Sequence, residues 1–244
     1  MKNRKPFITL LLLTLWCFIP KASAQLNLQM SYDLGHTLYG KELSNRPCWT
    51  ATIENFKADK WGNTYFFVDA NFAGNTMESA YAEISREFNL CKTPFALHVE
   101  YNGGVANSGS YNDSYLIGAA YNWNNASFTK TFSIQTLYRY LANQQIGTKH
   151  SWQLTTVWGI HFADGLCSFT GYTDLAHDNN VDGALQFSSE PQFWFNLNKL
   201  KAFDDECKLS IGTEVEVSNN FVWPTDGRNN RFYAIPCIMA KWTF

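Results

Sequence analysis

Charged residues are scarce in this sequence of 244 residues. Asp, Glu, Lys and Arg make up 16% of it, with 19 basic against 21 acidic residues, whereas average domains carry about 25% charged residues. No basic stripe is present, so a nucleic-acid partner is excluded. Aromatic residues are abundant, at another 16%. This composition excludes an intrinsically disordered chain, because such chains lack aromatic side chains.

Long apolar runs are missing after residue 24. No later stretch approaches the roughly 18–20 apolar residues that a spanning helix needs. Linkers, repeats and low-complexity tracts are missing as well. Residues 25–244 are therefore predicted to form one domain.

Cysteines are few and irregularly spaced. Their spacing includes no CxxC pair and no Cys/His pattern typical of zinc. We therefore expect scattered thiols with at most one or two disulfides, and neither a metal nor a cofactor. Five cysteines follow residue 24: Cys48, Cys91, Cys167, Cys207 and Cys237.

The first 24 residues have the pattern of a secretory signal peptide. Lys2, Arg4 and Lys5 precede an apolar segment, residues 7–19, and Ala22-Ser23-Ala24 fits a cleavage site. The apolar segment is too short for a stable membrane span. The mature chain is predicted to begin at residue 25 and to function outside the cytoplasm.

Alternation of apolar and polar residues recurs through the mature chain. Between residues 152 and 162, Trp152, Leu154 and Trp158 share one face, and Gln153 and Thr155 share the other. This period predicts β-strands with one apolar face. Twelve strands are predicted, near 26–34, 47–57, 64–72, 78–88, 94–102, 113–123, 131–141, 150–162, 167–175, 184–197, 208–218 and 232–244.

Two all-β folds can be built from such strands. A soluble sandwich turns its apolar faces inward, whereas a transmembrane antiparallel β-barrel turns them toward lipid. The signal peptide and the aromatic residues at the ends of the apolar faces, such as Trp152 and Phe162, favour the barrel. The final strand ends on Phe244, which resembles the signal that the bacterial barrel-assembly machinery recognises. We therefore expect that machinery and outer-membrane lipid as partners, and the outer membrane as the location.

An even number of strands places both termini in the periplasm. The segments around 35–46, 73–77, 103–112, 142–149, 176–183 and 219–231 are then predicted to lie outside the cell. Two prolines, Pro191 and Pro236, fall inside predicted strands, where each removes a ladder donor. Each is predicted to mark a bulge or a break, and a bulge at Pro191 would turn Trp194 toward lipid.

Several segments together resemble the Tsx-like family of outer-membrane nucleoside channels, in particular its branch from Bacteroidetes-type bacteria. Residues 61–69, Trp-Gly-Asn-Thr-Tyr-Phe-Phe-Val-Asp, are the most specific of them. The other segments are 26–35, 59–60, 189–194, 210–216 and 241–244. The resemblance implies a monomeric pore of twelve strands that passes nucleosides by diffusion, without an enzymatic activity.

Strand parity assigns the side chains that face the lumen. Carboxylates facing lipid would be costly, so they are expected inside. Aromatic faces can stack on a nucleobase, and carboxylates can accept hydrogen bonds from ribose hydroxyls. Trp194 is a weaker candidate of the same kind. The predicted lumen residues in contact with solute are Phe67, Asp69, Tyr81, Glu83, His98, Glu100, Arg139, Tyr172, Glu190, Glu214 and Glu216.

Other functions remain open at this point. The barrel could be a general small-solute pore or a structural or adhesin protein, and the lumen residues could merely brace the wall. A soluble sandwich that binds carbohydrate is a further alternative. A barrel hydrolase would need a nucleophile beside a base, and only fragments such as His98 with Glu100 or Asp174 with His177 are present.

Overall fold

The computed structural model describes residues 25–111, 113–144, 147–178, 181–203, 207–222, 224–227 and 230–244. The predicted signal peptide lies outside the described residues. The wall strands are β1 Gln25–Asp33, β2 Trp49–Asp59, β3 Gly62–Ala73, β4 Thr76–Asn89, β5 Phe95–Ala106, β6 Ser114–Asn124, β7 Lys130–Leu141, β8 His150–Phe162, β9 Cys167–His177, β10 in two pieces, Leu185–Ser189 and Gln192–Asn196, β11 Leu209–Asn219 and β12 Phe232–Thr243.

These strands form a closed antiparallel barrel. Each strand pairs with its neighbour in sequence, and β12 pairs with β1, with Asn27 opposite Thr243 and Asp33 opposite Cys237. Closure gives every wall strand a paired neighbour on both sides, so the described part of the barrel has no edge strand. The all-β barrel of twelve strands predicted from the sequence is confirmed.

Strand β10 is split at Glu190-Pro191 without a bulge. Its first piece pairs Asp174 with Ser188 on β9, and its second piece pairs Thr170 with Gln192 in the same register. The proline therefore interrupts the ladder but adds no residue to the strand. The reversal of parity considered for Trp194 does not occur. Pro236 lies inside the continuous strand β12, in an unshifted register opposite Val215, so the bulge or break predicted there is wrong.

The two faces of the wall differ sharply in exposure. On β6, Leu116 is 2% exposed and Ile117 is 49% exposed, and on β12, Met239 is 7% exposed and Ile238 is 63% exposed. The exposed positions form an apolar outer face, whereas the inner face is mainly polar. Aromatic residues lie at the ends of the outer face, including Trp49, Phe88, Phe95, Trp123, Trp152, Phe162 and Trp242.

The two ends of the barrel carry different connections. We call the end with segments 34–48, 74–75, 107–113, 142–149, 178–184 and 220–231 the loop end, and the opposite end the turn end. The first loop contains helix α1, Gly35–Tyr39, and the 3₁₀ turn Gly40–Leu43. No helix among the described residues is long and apolar enough to cross a membrane.

Cys48, Cys91, Cys167 and Cys237 form no disulfide in the described part of the chain. The one or two disulfides that the sequence allows are therefore not formed among these four cysteines. Cys237 is buried on the inner face of β12, and Cys91 is exposed in a connection at the turn end.

Candidate solute pathway

All eleven candidate side chains lie on the inner face of the wall. Their positions follow the alternation on each strand, with outward neighbours such as Val68, Ile84 and Tyr138 exposed. The structure divides the eleven into groups with different partners. Only some of them are free to contact a solute.

Five carboxylates converge at mid-height, and we call them the central carboxylates. Two pairs of them come from strands on opposite sides of the ring: Glu83 interacts electrostatically with Asp174, and Asp69 interacts with Glu190. Carboxylates from facing walls thus lie close enough to interact electrostatically across the lumen. The central carboxylates are Asp69, Glu83, Asp174, Glu190 and Glu214.

Neutral donors hold the central carboxylates in place. Thr52 Oγ1 donates to Asp69 at 2.5 Å, and Thr155 Oγ1 donates to Asp174 at 2.5 Å. Each of these bonds joins inward side chains on adjacent strands, because the register sets Thr52 opposite Asp69 and Thr155 opposite Asp174.

Neutral donors also hold two more central carboxylates, one from the same strand and one from the adjacent strand. Tyr81 donates its hydroxyl hydrogen to Glu83 at 2.7 Å, and Gln192 Nε2 donates to Glu214 at 2.6 Å. Because hydroxyl and amide donors fix orientation without neutralising charge, the central carboxylates keep their capacity to accept further bonds.

Aromatic rings run up one wall beside these carboxylates. Tyr65, Phe67, Tyr81 and Tyr111 form a series with successive ring centroids 6.1, 6.1 and 6.2 Å apart. We call this series the aromatic ladder; it climbs from the middle of the lumen toward the loop end. Tyr172 lies across the lumen on β9, near Glu190. Flat apolar faces are thus available on both sides of the central carboxylates.

Arg139 brings a positive charge to this level. Its guanidinium interacts electrostatically with Asp174 and with the Tyr81 hydroxyl. Its Nε is buried without a hydrogen-bond partner. Arg139 therefore stands beside the carboxylates without being tied to any one of them.

Two candidates, His98 and Glu100, belong instead to a network that links strands near the turn end. His98 contacts Glu87 Oε1 at 3.3 Å and Glu100 Oε2 at 3.0 Å, and it is 2% exposed. Glu87 also accepts hydrogen bonds from Asn63 and Asn122 at 2.9 and 2.7 Å. We call this network the Glu87 brace, and it ties β3, β4, β5 and β6 together.

Another candidate, Glu216, forms an ion pair with the first loop, segment 34–48. This loop folds into the loop end of the barrel. Arg46 donates to Asp33 at 2.7 Å and to Glu216 at 2.5 Å. Burial disfavours the charge of Arg46, but Glu216 and Asp33 outweigh that effect and raise its pKa above the usual value. Arg46 is thus a fixed cation at this end of the lumen.

Apolar packing holds the same loop. Leu43 is completely buried against the inward residues Tyr233 and Ile235 of β12 and against Val222. Segment 34–48 therefore narrows the loop end of the lumen. Strand periodicity does not predict this feature, because Leu43 and Arg46 lie in a polar connection outside the alternating strands.

Trp194 is packed on the inner face near the turn end. It is fully buried beside Cys237 and Met239, and Lys241 Nζ lies 3.9 Å from the ring centroid. Gly212 lies directly beneath the ring, where a Cβ atom would be 2.6 Å from the indole and 2.4 Å from the Phe193 carbonyl oxygen. The absence of a side chain at Gly212 is what allows Trp194 to lie flat on the wall.

Replacing Gly212 by valine is therefore expected to destabilise the barrel. Overpacking typically costs about 1–3 kcal/mol, and backbone contact leaves little room for adjustment here. Urea unfolding of the refolded protein, followed by tryptophan fluorescence, would measure the loss. The control is Ala240→Val, on the exposed outer face of the adjacent strand, which should leave the midpoint unchanged. Equal midpoints for both variants would contradict this packing account.

The fragments of a hydrolytic site do not assemble. Asp174 faces the lumen, whereas His177 lines a cleft on the outer face with Tyr138, His150 and Trp152. His98 is held between two carboxylates, as described above. Within the described residues, no group of three or more His, Cys, Asp or Glu side chains is arranged to hold a metal ion.

Comparison with known proteins supports the barrel architecture. The NanC porin has a TM-score of 0.58 and 11% identity, with 90% of this chain and 100% of that chain covered. The KdgM porin has a TM-score of 0.50 and 8% identity, with 90% and 99% covered. At these identities the likeness establishes the fold alone, which is that of outer-membrane porins.

Sequence comparison identifies the family. No curated protein matches the sequence significantly. A family model matches residues 24–244, which include every strand of the barrel. The chain belongs to the family described as the domain of unknown function DUF5020.

Proposed function

We propose that this protein is an outer-membrane channel through which small solutes diffuse passively, with nucleosides as the favoured solutes. The observation that carries the proposal is the closed barrel with an apolar outer face and a polar inner face. The outer face suits lipid, and the lumen suits hydrated solutes. Wall strands of 9–14 residues match the length needed to cross a bilayer at a tilt.

The location and topology belong to the same proposal. Residues 1–24 would direct export, and residues 25–244 would insert as a monomer through the barrel-assembly machinery, which reads the final strand. The loop end would face the exterior and the turn end the periplasm. Long connections outside and short turns inside are the usual arrangement in bacterial barrels.

Nucleosides suit the chemistry of the lumen. A nucleobase is flat and can stack on the rings of Phe67, Tyr81 or Tyr172. Ribose hydroxyls and base amino groups are donors, which the central carboxylates can accept. The resemblance of residues 61–69 to the Tsx-like channels supports the same solute class.

An acidic sugar polymer suits this lumen less well. The KdgM porin has been solved in complex with disordered oligogalacturonate, which carries a carboxylate on each sugar unit. The central carboxylates here would repel such a chain. Similarity of fold therefore does not extend to that ligand.

Solute flux into liposomes tests the proposed function directly. Purified mature protein would be reconstituted, and swelling rates compared for nucleosides and for sugars of similar size. Faster entry of nucleosides is expected. Equal rates would leave a general small-solute pore, the second candidate that the polar lumen favours, and no entry would leave a structural or adhesin protein.

Two substitutions should separate stacking from hydrogen bonding. Tyr172→Ala is expected to slow purine nucleosides more than sugars, because stacking is available only to flat bases. Glu214→Gln removes a charge-assisted bond worth roughly 1.5–3 kcal/mol, so nucleoside affinity should fall about tenfold or more. Single-channel recordings measure both effects, because a bound nucleoside blocks the ion current and the concentration needed for block gives its affinity.

The matched control is Tyr121→Ala, which removes an outward ring. It should leave the affinity for nucleosides unchanged. If neither lumen substitution separates nucleosides from sugars, the nucleoside assignment fails while the channel remains.

A further inference from the structure

We propose that the lumen selects solutes by positive charge, and that small organic cations pass in preference to anions. The inference rests on the proposed channel function and specifies the charge of its solutes. It follows from the charged side chains that lie inside the barrel and from the partners that each of them contacts.

The described part of the inner face is strongly acidic. Its basic side chains are Arg46, Arg139, Lys241 and, when protonated, His98 and His161. Against these stand ten inward carboxylates. They are Asp33, Glu54, Asp69, Glu83, Glu87, Glu100, Asp174, Glu190, Glu214 and Glu216.

Most of the basic groups are in contact with partners that lie above or below mid-height. Arg46 is bound to Asp33 and Glu216 in the first loop, and His98 lies between Glu87 and Glu100. Lys241 is stacked on Trp194 near the turn end. Two cations act on the central carboxylates, Arg46 on Glu214 and Arg139 on Asp174, and among the described residues neither forms an ion pair with a central carboxylate within 4.0 Å.

The central carboxylates therefore accept hydrogen bonds from neutral donors, and their electrostatic partners are mainly other carboxylates. Glu190 interacts with Glu214 and Asp69, and Glu83 interacts with Asp174. Like charges in a narrow passage with a low-dielectric wall focus a strong negative potential, which concentrates mobile cations and repels anions. Cations entering the pore would relieve this repulsion.

An unpaired acceptor lies next to the same charges. Asn102 is 7% exposed, and its Oδ1 has no hydrogen-bond partner. The strand register places Asn102 directly opposite Glu83, with both side chains inward. A buried amide oxygen without a donor is unfavourable. A cation that carries a donor, such as the N–H groups of a primary ammonium or the hydroxyl group of choline, would satisfy this oxygen.

The aromatic ladder adds a preference for organic cations over bare ions. Tyr81 belongs to the ladder and holds Glu83, and Phe67 precedes Asp69 by two residues on the same inward face. Ring faces attract ammonium groups through cation–π contacts. Carboxylates and rings along one wall therefore provide a path for a solute with a positive head and an apolar body.

Reversal potentials measure this selectivity. The mature protein would be placed in planar bilayers under a salt gradient, first of potassium chloride and then of choline chloride. Both cations should permeate at least about fivefold more readily than chloride, as expected for a focused negative potential. Choline should also block potassium current at lower concentrations than sodium does.

A double variant tests the residues. Glu83→Gln with Glu190→Gln should bring the cation-to-chloride permeability ratio at least about threefold closer to one. The matched control is Asp164→Asn with Asp182→Asn, which removes two exposed carboxylates from connections outside the lumen. The control should keep the ratio of the unsubstituted protein.

The outcomes separate the inference from the function beneath it. Channels with a permeability ratio near one, or with preference for chloride, would overturn the charge selectivity and leave the channel function standing. A folded barrel that conducts no current would overturn both. The unsubstituted protein alone decides the sign of the selectivity, so the inference is testable even if the double variant fails to fold.

Discussion

Replacing Glu87 by leucine is expected to destabilise the barrel by about 3–5 kcal/mol, which is the usual cost of breaking a buried charged network by removing one partner. Glu87 is 4% exposed and accepts hydrogen bonds from Asn63 and Asn122 besides its contact with His98. Leucine has a similar size but accepts none of them. The polar groups on three neighbouring strands would then lose their common partner.

Denaturant unfolding of the refolded barrel, read by its gel shift on heating, measures this loss. Glu87→Gln should cost less, because the amide oxygen still accepts a bond. The control is Glu78→Leu, which removes a carboxylate near the loop end of the same strand, outside the Glu87 brace. A Glu87→Leu variant as stable as Glu78→Leu would show that the network contributes nothing to stability.

The strands of this barrel were predictable because burial in a barrel wall is strictly periodic. Each of the twelve predicted segments overlaps an observed strand, since an outward residue must suit lipid and its neighbour must suit the lumen. Parity alone also assigned the inward side of residues such as Glu83 and Tyr172. The alternation does not depend on distant contacts, so a single sequence reveals it.

The region around Pro191 shows a feature that the local sequence pattern does not predict. A proline inside a strand permits either a bulge or a simple gap in the ladder, and the two outcomes place Trp194 on opposite faces. The structure keeps the register, because β9 and β11 pair with both pieces of β10. Gly212 on β11 then makes room for the inward indole. That complementarity joins residues from different strands, which sequence periodicity does not report.

Strand parity predicts which face of the wall the candidate residues occupy, but it does not predict which side chains they contact. Strand parity assigns both His98 and Glu83 to the inner face, yet His98 is held between two carboxylates and Glu83 is held by a neutral hydroxyl. This distinction depends on which side chains meet across strands. It decides which groups are left to act on a solute.

The first loop produces the second large expected effect. Arg46→Ala is expected to raise single-channel conductance about twofold or more, since the width of a constriction governs conduction. Arg46 is the cation that ties segment 34–48 to Asp33 and Glu216. Without it, two buried carboxylates lose their partner, and their desolvation becomes uncompensated.

The loop can relieve that cost by moving out of the lumen, which lets water reach both carboxylates and widens the passage. Leu43 would oppose the movement, because it would leave its contacts with Tyr233 and Ile235. Adding Leu43→Ala removes this restraint, so the double variant should conduct more than Arg46→Ala. Arg46→Lys keeps the charge and should stay closer to the unsubstituted protein.

The matched control is Arg86→Ala, which breaks an ion pair with Asp59 at the turn end, far from the loop. Planar-bilayer recordings of all four variants at one salt concentration give the comparison. If conductance is the same in Arg46→Ala, in the double variant and in the control, segment 34–48 does not set the width of the pore. The narrowest point must then lie at the central carboxylates, where the passage would be limited by charge and side-chain volume instead of by the loop.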